Sequence, residues 1–121
     1  MNPYETIFII KPSLTDEEIS KVIEKTKGII QRGGGEVVVA ENWGKKKLAY
    51  EVRKEKKGTY IIVHFKGTGA TVSEVERSYR HDESIIKFIT LKIESDKLGK
   101  TLPARDEKPI SFRDRESMSD R

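Results

Sequence analysis

The sequence contains no cysteine and only two histidines and four prolines among 121 residues. Without cysteine there can be no disulfide framework, no thiolate nucleophile and no cysteine-based metal site. His64 and His81 are far apart in the sequence, so no metal site is predicted from them either. No apolar run approaches the roughly 20 residues of a membrane span, and no signal-peptide pattern opens the chain. These absences favour a soluble intracellular domain without a cofactor.

Charge, by contrast, is plentiful and unevenly distributed. Charged residues make up 36% of the chain and the net charge is +4, with an isoelectric point near 9.2. Residues 44–58 alone carry a net charge of +5, so the rest of the chain is slightly acidic. A local excess of this kind is typical of a surface that binds a polyanion, and nucleic acid is the first partner to consider. The alternative is a solvated strand edge whose lysines resist aggregation.

Hydrophobic periodicity predicts four strands and two helices. Strand-like residues 4–11 end at Pro12, and a helix capped by Ser13 or Thr15 runs to the glycines at 33–35. The second strand runs from 36 toward 52, with a bulge expected at Gly44. The remaining predicted elements are a turn at 53–58, a strand at 59–66, a helix beginning at Thr71 or Ser73, and a strand at 85–93.

The predicted order is therefore β-α-β-β-α-β. This order is typical of an α+β, ferredoxin-like fold, in which two helices cover one face of a four-stranded antiparallel sheet. In that arrangement the first and third strands are central and the second lies at an edge. We therefore expect the basic turn to project from an exposed edge of the sheet.

The last 27 residues have a different character. Residues 95–121 hold seven basic and six acidic residues with few apolar ones. Such a segment buries too little apolar surface to offset its ordering entropy. The sequence predicts a folded domain over residues 1–94 and a charged tail over 95–121 that is disordered when free.

Three motifs resemble a known family. Residues 41–50 read ENWGKKKLAY, residues 79–87 read YRHDESIIK, and the chain opens with Tyr4-Glu5 before an apolar strand and Pro12. In this order they resemble bacterial ribosomal protein six of the small subunit, over residues 1 to about 94. The chain departs from that family at Glu51-Val52, where proline and isoleucine are usual, and at Asn2, where a basic residue is common.

The resemblance implies a ferredoxin-like fold and a structural, non-catalytic role on cytoplasmic ribosomes. It also implies binding to the central domain of small-subunit ribosomal RNA, together with ribosomal protein eighteen as a heterodimer. No cofactor, small-molecule substrate or membrane is implied.

The residues expected to carry this function fall into two groups. Cations of the basic segment would neutralise phosphates, which gives affinity without base reading. The aromatic residues Tyr4, Trp43, Tyr50 and Tyr60 could stack on unpaired bases, with packing in the core or at the sheet edge as the alternative for most of them. Trp43 is the better candidate to anchor a protein partner. The predicted RNA-binding residues are Tyr4, Lys45, Lys46, Lys47, Arg53, Lys54, Lys56, Lys57, Arg80 and Lys87; the predicted protein-partner residues are Trp43, Leu48 and Tyr50.

Three other functions are compatible with the same order of elements. An RNA-recognition motif would bind single-stranded RNA by stacking, but its ring positions would fall on Thr59 and Ile61, which carry no rings. An acylphosphatase-like enzyme would need an arginine-bearing phosphate loop after the first strand, and residues 11–14 (KPSL) offer none. A module that binds proteins by strand addition at the sheet edge stays open.

Overall fold

The computed structural model describes residues 1–100, and it confirms the predicted order of elements. The fold is ferredoxin-like: two helices lie on one face of a four-stranded antiparallel sheet. The elements are β1 (Asn2–Ile10), α1 (Asp16–Arg32), β2 (Glu36–Val52), β3 (Glu55–Gly67), α2 (Gly69–Arg80), β4 (Ile85–Lys92) and a 3₁₀ turn (Ser95–Lys97). Residues 101–121, most of the predicted tail, lie outside the described residues, and the domain boundary stays a prediction.

The sheet has the strand order β2-β3-β1-β4, so β1 and β3 are central and β2 is an edge strand, as predicted. The predicted turn at 53–58 is wrong in extent. The turn is confined to Arg53 and Lys54, because Val52 already pairs with Glu55. Lys56 and Lys57 consequently lie in β3 rather than in a flexible loop, and the β2–β3 hairpin is longer than the sequence indicated.

Side-chain caps define where the two helices begin. Thr15 caps α1 in a reciprocal capping box: its hydroxyl accepts from the Glu18 amide at 3.2 Å, and Glu18 Oε1 accepts from the Thr15 amide at 2.9 Å. α2 begins earlier than predicted, because Thr68 is its cap and Thr71 is the third helical residue of the same kind of box. The prediction missed this because Thr68 follows a glycine and looked like part of the loop.

The main core lies between the sheet and the two helices. Its largest members are aromatic: Phe8 and Tyr79 pack as a tilted pair with ring centroids 4.8 Å apart, and both are buried. The Tyr79 hydroxyl lies 3.0 Å from Thr6 Oγ1, which also accepts a hydrogen bond from Thr90 at 2.9 Å. Burial raises the pKa of Tyr79, although its hydrogen bond with Thr6 opposes the rise. A polar network thus satisfies the hydroxyls at the centre of this core.

A second apolar cluster occupies the opposite face of the sheet, which we call the open face. Since the helices cannot reach this face, other segments must cover it. One end is covered by residues 43–58, which we call the hairpin arm. The other end is contacted by residues 95–100, which we call the strap. The buried members of the open-face cluster are Ile7, Ile9, Leu48, Tyr60, Ile62, Ile86 and Ile89.

Candidate nucleic-acid interface

The tip of the hairpin arm is a tight two-residue turn occupied by two cations. Arg53 and Lys54 have φ values of +49° and +66°, the left-handed conformation that a two-residue hairpin requires at both positions. Asn-Gly or Asp-Gly usually fills such a turn, because other residues there are strained by about 1–2 kcal/mol each. Both side chains are exposed. The chain therefore places positive charge at the tip in spite of a conformational cost.

Behind the tip, lysines occur on both strands of the arm. The register pairs Lys47 directly with Lys57, and Lys45 with Thr59. Residues two apart on a strand, and residues directly opposite each other, share a face. Lys45, Lys47 and Lys57 therefore share one face of the arm, and all three are exposed.

Direct opposition of two like charges destabilises an antiparallel pair. Nothing in the packing of the arm requires lysine at both Lys47 and Lys57, since both side chains are exposed. Lys46 is different: it pairs with Gly58 on the other face and is half-buried. The predicted alternation of Lys45, Lys46 and Lys47 is confirmed, and the exposed basic face is a surface suited to an anionic ligand.

Two glycines allow the arm to bend over the open face. At Gly44 the backbone has φ +86° and the β2–β3 register shifts, as expected for the predicted bulge. The Asn42 side chain accepts a hydrogen bond from the Gly44 amide at 2.7 Å. At Gly58 a Cβ would overlap Cγ2 of Ile9. Glycine there lets the arm approach the central strand closely.

The bend brings the end of β2 across to β4. Leu48 is only 7% exposed and belongs to the open-face cluster. Tyr50 reaches Lys87 of β4, whose Nζ lies 5.9 Å from the centre of the tyrosine ring. Burial is the main reason that the pKa of Tyr60 is raised, and the nearby Tyr50 raises it further. Lys87, predicted to bind RNA, is thus held against the arm by an aromatic ring.

Trp43 begins the apolar surface of the arm. Its side chain is half-buried and packs on the open-face cluster, and its indole N–H donates to Glu41 Oε1 at 3.0 Å. Tyr50, 39% exposed, is the other aromatic residue near this surface. Of the three residues predicted to bind a protein partner, Trp43 and Tyr50 present surface, whereas Leu48 is used for packing inside the chain.

Two predicted RNA-binding residues lie apart from the exposed lysines. Tyr4 pairs with Phe65 and stacks on its ring, with centroids 5.4 Å apart. Phe65 is six residues along β3 from Thr59, roughly 20 Å at the usual strand rise, so Tyr4 belongs to the opposite end of the sheet. Arg80 is the exposed last residue of α2. The structure groups the arm cations together but does not bring Tyr4 to them.

A second basic feature was not predicted from the sequence. A groove between α1 and α2 is lined by Arg32, Arg77 and His81, together with Glu74. Glu74 lies 3.9 Å from Arg77, and the carbonyl end of α1 opens at the same place. Both features disfavour an anion. The hairpin arm is therefore the better-defined basic surface among residues 1–100.

Other kinds of site receive no support from the described residues. Thr59 and Ile61, the positions at which an RNA-recognition motif would carry rings, are buried. Within residues 1–100 no three histidine, aspartate or glutamate side chains are grouped to hold a metal ion. No helix in this part of the chain is long and apolar enough to span a membrane.

The fold and the arm define a class: a ferredoxin-like α+β domain whose edge hairpin carries a basic surface. The family model for ribosomal protein S6 matches residues 3–92. Similar curated proteins include small ribosomal subunit protein bS6 of Bacteroides thetaiotaomicron, 43% identical over 78% of this chain and 82% of that protein. The same protein of Clostridium acetobutylicum is 44% identical over 78% of this chain and 99% of its own length.

A solved structure agrees with these sequence comparisons. The crystal structure of 30S ribosomal protein S6 from Thermotoga maritima superposes with a TM-score of 0.73 at 28% identity, covering 99% of this chain and 98% of that one. The chain belongs to the ribosomal protein S6 family. It is accordingly a structural protein of the small ribosomal subunit in the cytoplasm and not an enzyme, as the sequence motifs predicted.

Proposed function

We propose that the hairpin arm binds the central domain of small-subunit ribosomal RNA, and that it does so together with ribosomal protein eighteen. The observation that carries this proposal is the exposed pair Lys47 and Lys57, directly opposed on neighbouring strands. Such a pair is unfavourable in the isolated protein and is relieved when a polyanion lies across it. Family membership supplies the class of polyanion.

The arm offers two kinds of cation to the RNA. Lys45, Lys47 and Lys57 lie on paired strands, so their spacing is fixed by the sheet. Arg53 and Lys54 extend from the tip, where they can follow the phosphate backbone beyond the sheet. These side chains neutralise phosphates and release counterions, so they supply affinity that depends on salt rather than on base sequence. Lys87, which contacts the Tyr50 ring, and Arg80, at the end of α2, are secondary candidates.

The protein partner is assigned to the apolar side of the arm. Trp43 and Tyr50 provide aromatic surface there, and Leu48 supports it from beneath. Aromatic residues set in a polar surround are common anchors of protein interfaces. In this arrangement the arm contacts RNA through its lysines and ribosomal protein eighteen through its rings, so that each ligand favours the other.

Charge reversal with a matched control tests the RNA contact. Lys45→Glu with Lys47→Glu should weaken binding to the RNA fragment and reduce the salt slope, log Kd against log salt, by about 1.4–1.8. Lys21→Glu with Lys25→Glu changes the net charge equally on the exposed side of α1 and should have a much smaller effect. If both double variants lose the same affinity and slope, the contact is not on the arm.

The joint site is tested by adding the partner. Binding of the RNA should be tighter in the presence of ribosomal protein eighteen than the two separate affinities predict. Trp43→Ala should reduce this cooperativity and leave the salt slope for RNA alone unchanged. Val38→Ala removes an exposed apolar side chain from the same strand and serves as the control. Simple additivity with the parent protein would contradict a joint site.

A further inference from the structure

The strap is held on the sheet by a hydrogen bond to a buried histidine, and both nitrogens of that histidine ring have hydrogen-bond partners. His64, on β3, is 1% exposed, and both of its ring nitrogens are engaged. Nε2 lies 3.1 Å from Glu5 Oε2 on the neighbouring strand β1. Nδ1 lies 2.8 Å from the backbone nitrogen of Gly99 in the strap.

These two partners determine the tautomer of the ring. A backbone N–H can only donate, so Nδ1 must carry a lone pair and accept from Gly99. A carboxylate can only accept, so Nε2 carries the proton and donates to Glu5. The docked arrangement therefore requires neutral His64 with its hydrogen on Nε2.

We propose that His64 is a pH-sensitive latch, and that its protonation releases the strap. A second ring proton would sit on Nδ1 and face the Gly99 N–H, so the hydrogen bond that holds the strap cannot form. Nε2 keeps its contact with Glu5, which then becomes an ion pair. Protonation thus removes the hydrogen bond between His64 and Gly99 and strengthens the contact between His64 and Glu5.

Ionisable residues occur on the strands and the strap that surround the ring. Across the pair with β2, His64 faces the uncharged Val39, and on β4 the residue opposite Glu5 is Leu91. Two residues along β3 in one direction, Lys66 pairs with Glu36, and two residues along in the other direction, Ile62 pairs with Glu41. Within the strap, the ionisable residues are Asp96, Lys97 and Lys100. Within residues 1–100, Glu5 is the only charged side chain that is hydrogen-bonded to the ring.

The strap is also adapted to this position at Gly99. Its φ of +84° lies in the left-handed region, and a Cβ there would come within 3.3 Å of Val38 on the edge strand β2. The docked strap therefore places Gly99 beside β2. Release of the strap would separate Gly99 from the edge strand that also carries the hairpin arm.

Nuclear magnetic resonance of the full chain tests the latch. The His64 ring signals and the Gly99 amide signal should titrate together. The protection of the Gly99 amide against exchange, corrected for the intrinsic rate, should fall about tenfold for each pH unit below that titration, because docking and protonation are exclusive. A Gly99 amide that stays protected while His64 becomes charged would overturn the proposal.

Two variants separate the latch from general acid effects. His64→Asn keeps an acceptor near the position of Nδ1 but cannot titrate, so Gly99 protection should lose its pH dependence. His81→Gln removes the other histidine, whose ring lies at the C-terminus of α2, and should leave the Gly99 transition unchanged. A transition that persists in His64→Asn would assign the effect to another group and overturn the latch.

Discussion

The strained turn at the tip of the hairpin arm makes a prediction in which stability and binding move in opposite directions. Arg53 and Lys54 both have positive φ. Replacing them with asparagine and glycine, the residues that favour this turn, removes strain of about 1–2 kcal/mol at each position. About 0.5–1 kcal/mol of this gain is lost at Lys54→Gly, because glycine increases the entropy of the unfolded chain. Arg53→Asn with Lys54→Gly should therefore stabilise the protein by about 1–3.5 kcal/mol.

The same double variant should bind RNA less tightly, because it removes two cations from the proposed interface. Loss of two phosphate contacts would reduce the salt slope by about 1.4 for an unpaired strand. Urea unfolding measures the first effect as a higher midpoint at unchanged slope. A salt series of RNA affinities measures the second.

A charge-only control separates strain from electrostatics. Arg53→Gln with Lys54→Gln removes the same two charges but keeps side chains that are strained in the left-handed region. We expect this variant to lose RNA affinity without gaining the stability of the Asn-Gly variant. If the two variants are equally stable, the turn is not strained and the reasoning from φ is refuted.

Three further predictions concern packing and the polar core. Gly58→Ala should destabilise the protein by about 1–3 kcal/mol in urea unfolding, because the added Cβ would overlap Ile9. Gly69→Ala should be nearly neutral, because a Cβ there has no neighbouring atom within 4 Å. Equal losses of stability in the two variants would contradict the close approach at Gly58. Thr6→Val should cost about 1–3 kcal/mol by leaving buried hydroxyls without their partner, and a thermal midpoint equal to that of the parent would show that the network contributes nothing. Burial raises the pKa of Tyr79 above its ordinary value of 10.0, so the folded state holds this proton more tightly; the resulting stability is present below pH 10 and is lost as pH rises further. Tyr79→Phe should flatten the alkaline fall of the urea midpoint, and an unchanged fall would refute this assignment.

The sequence predicted the parts of the fold that depend on local patterns. Alternating and helical spacing identified all four strands and both helices, and Gly44 indicated the bulge that the register shift confirms. The edge position of β2 followed from topology alone. The charge excess was sufficient to identify the arm, because charge density can be read from the residues without knowing which side chains share a face.

Features that depend on distant contacts could not be predicted in this way. Gly58 was interpreted as the end of a turn, because the sequence alone does not distinguish a glycine needed for a turn from one needed for a close approach between strands. The burial of Leu48 was not predicted, since nothing nearby in the sequence shows that the arm bends over Ile9. His64 and Gly99 are 35 residues apart in the sequence. A single hydrogen bond between them produces no hydrophobic periodicity, so no sequence pattern indicates it.

The anchoring of Leu48 beneath the arm has a consequence for recognition. A free hairpin of this length would have to give up many conformations before its cations could engage a ligand. Because Leu48 is already packed on the central strands, most of that entropy is lost during folding rather than during association. A buried, uncharged residue thus influences how much of the charge attraction is retained as affinity.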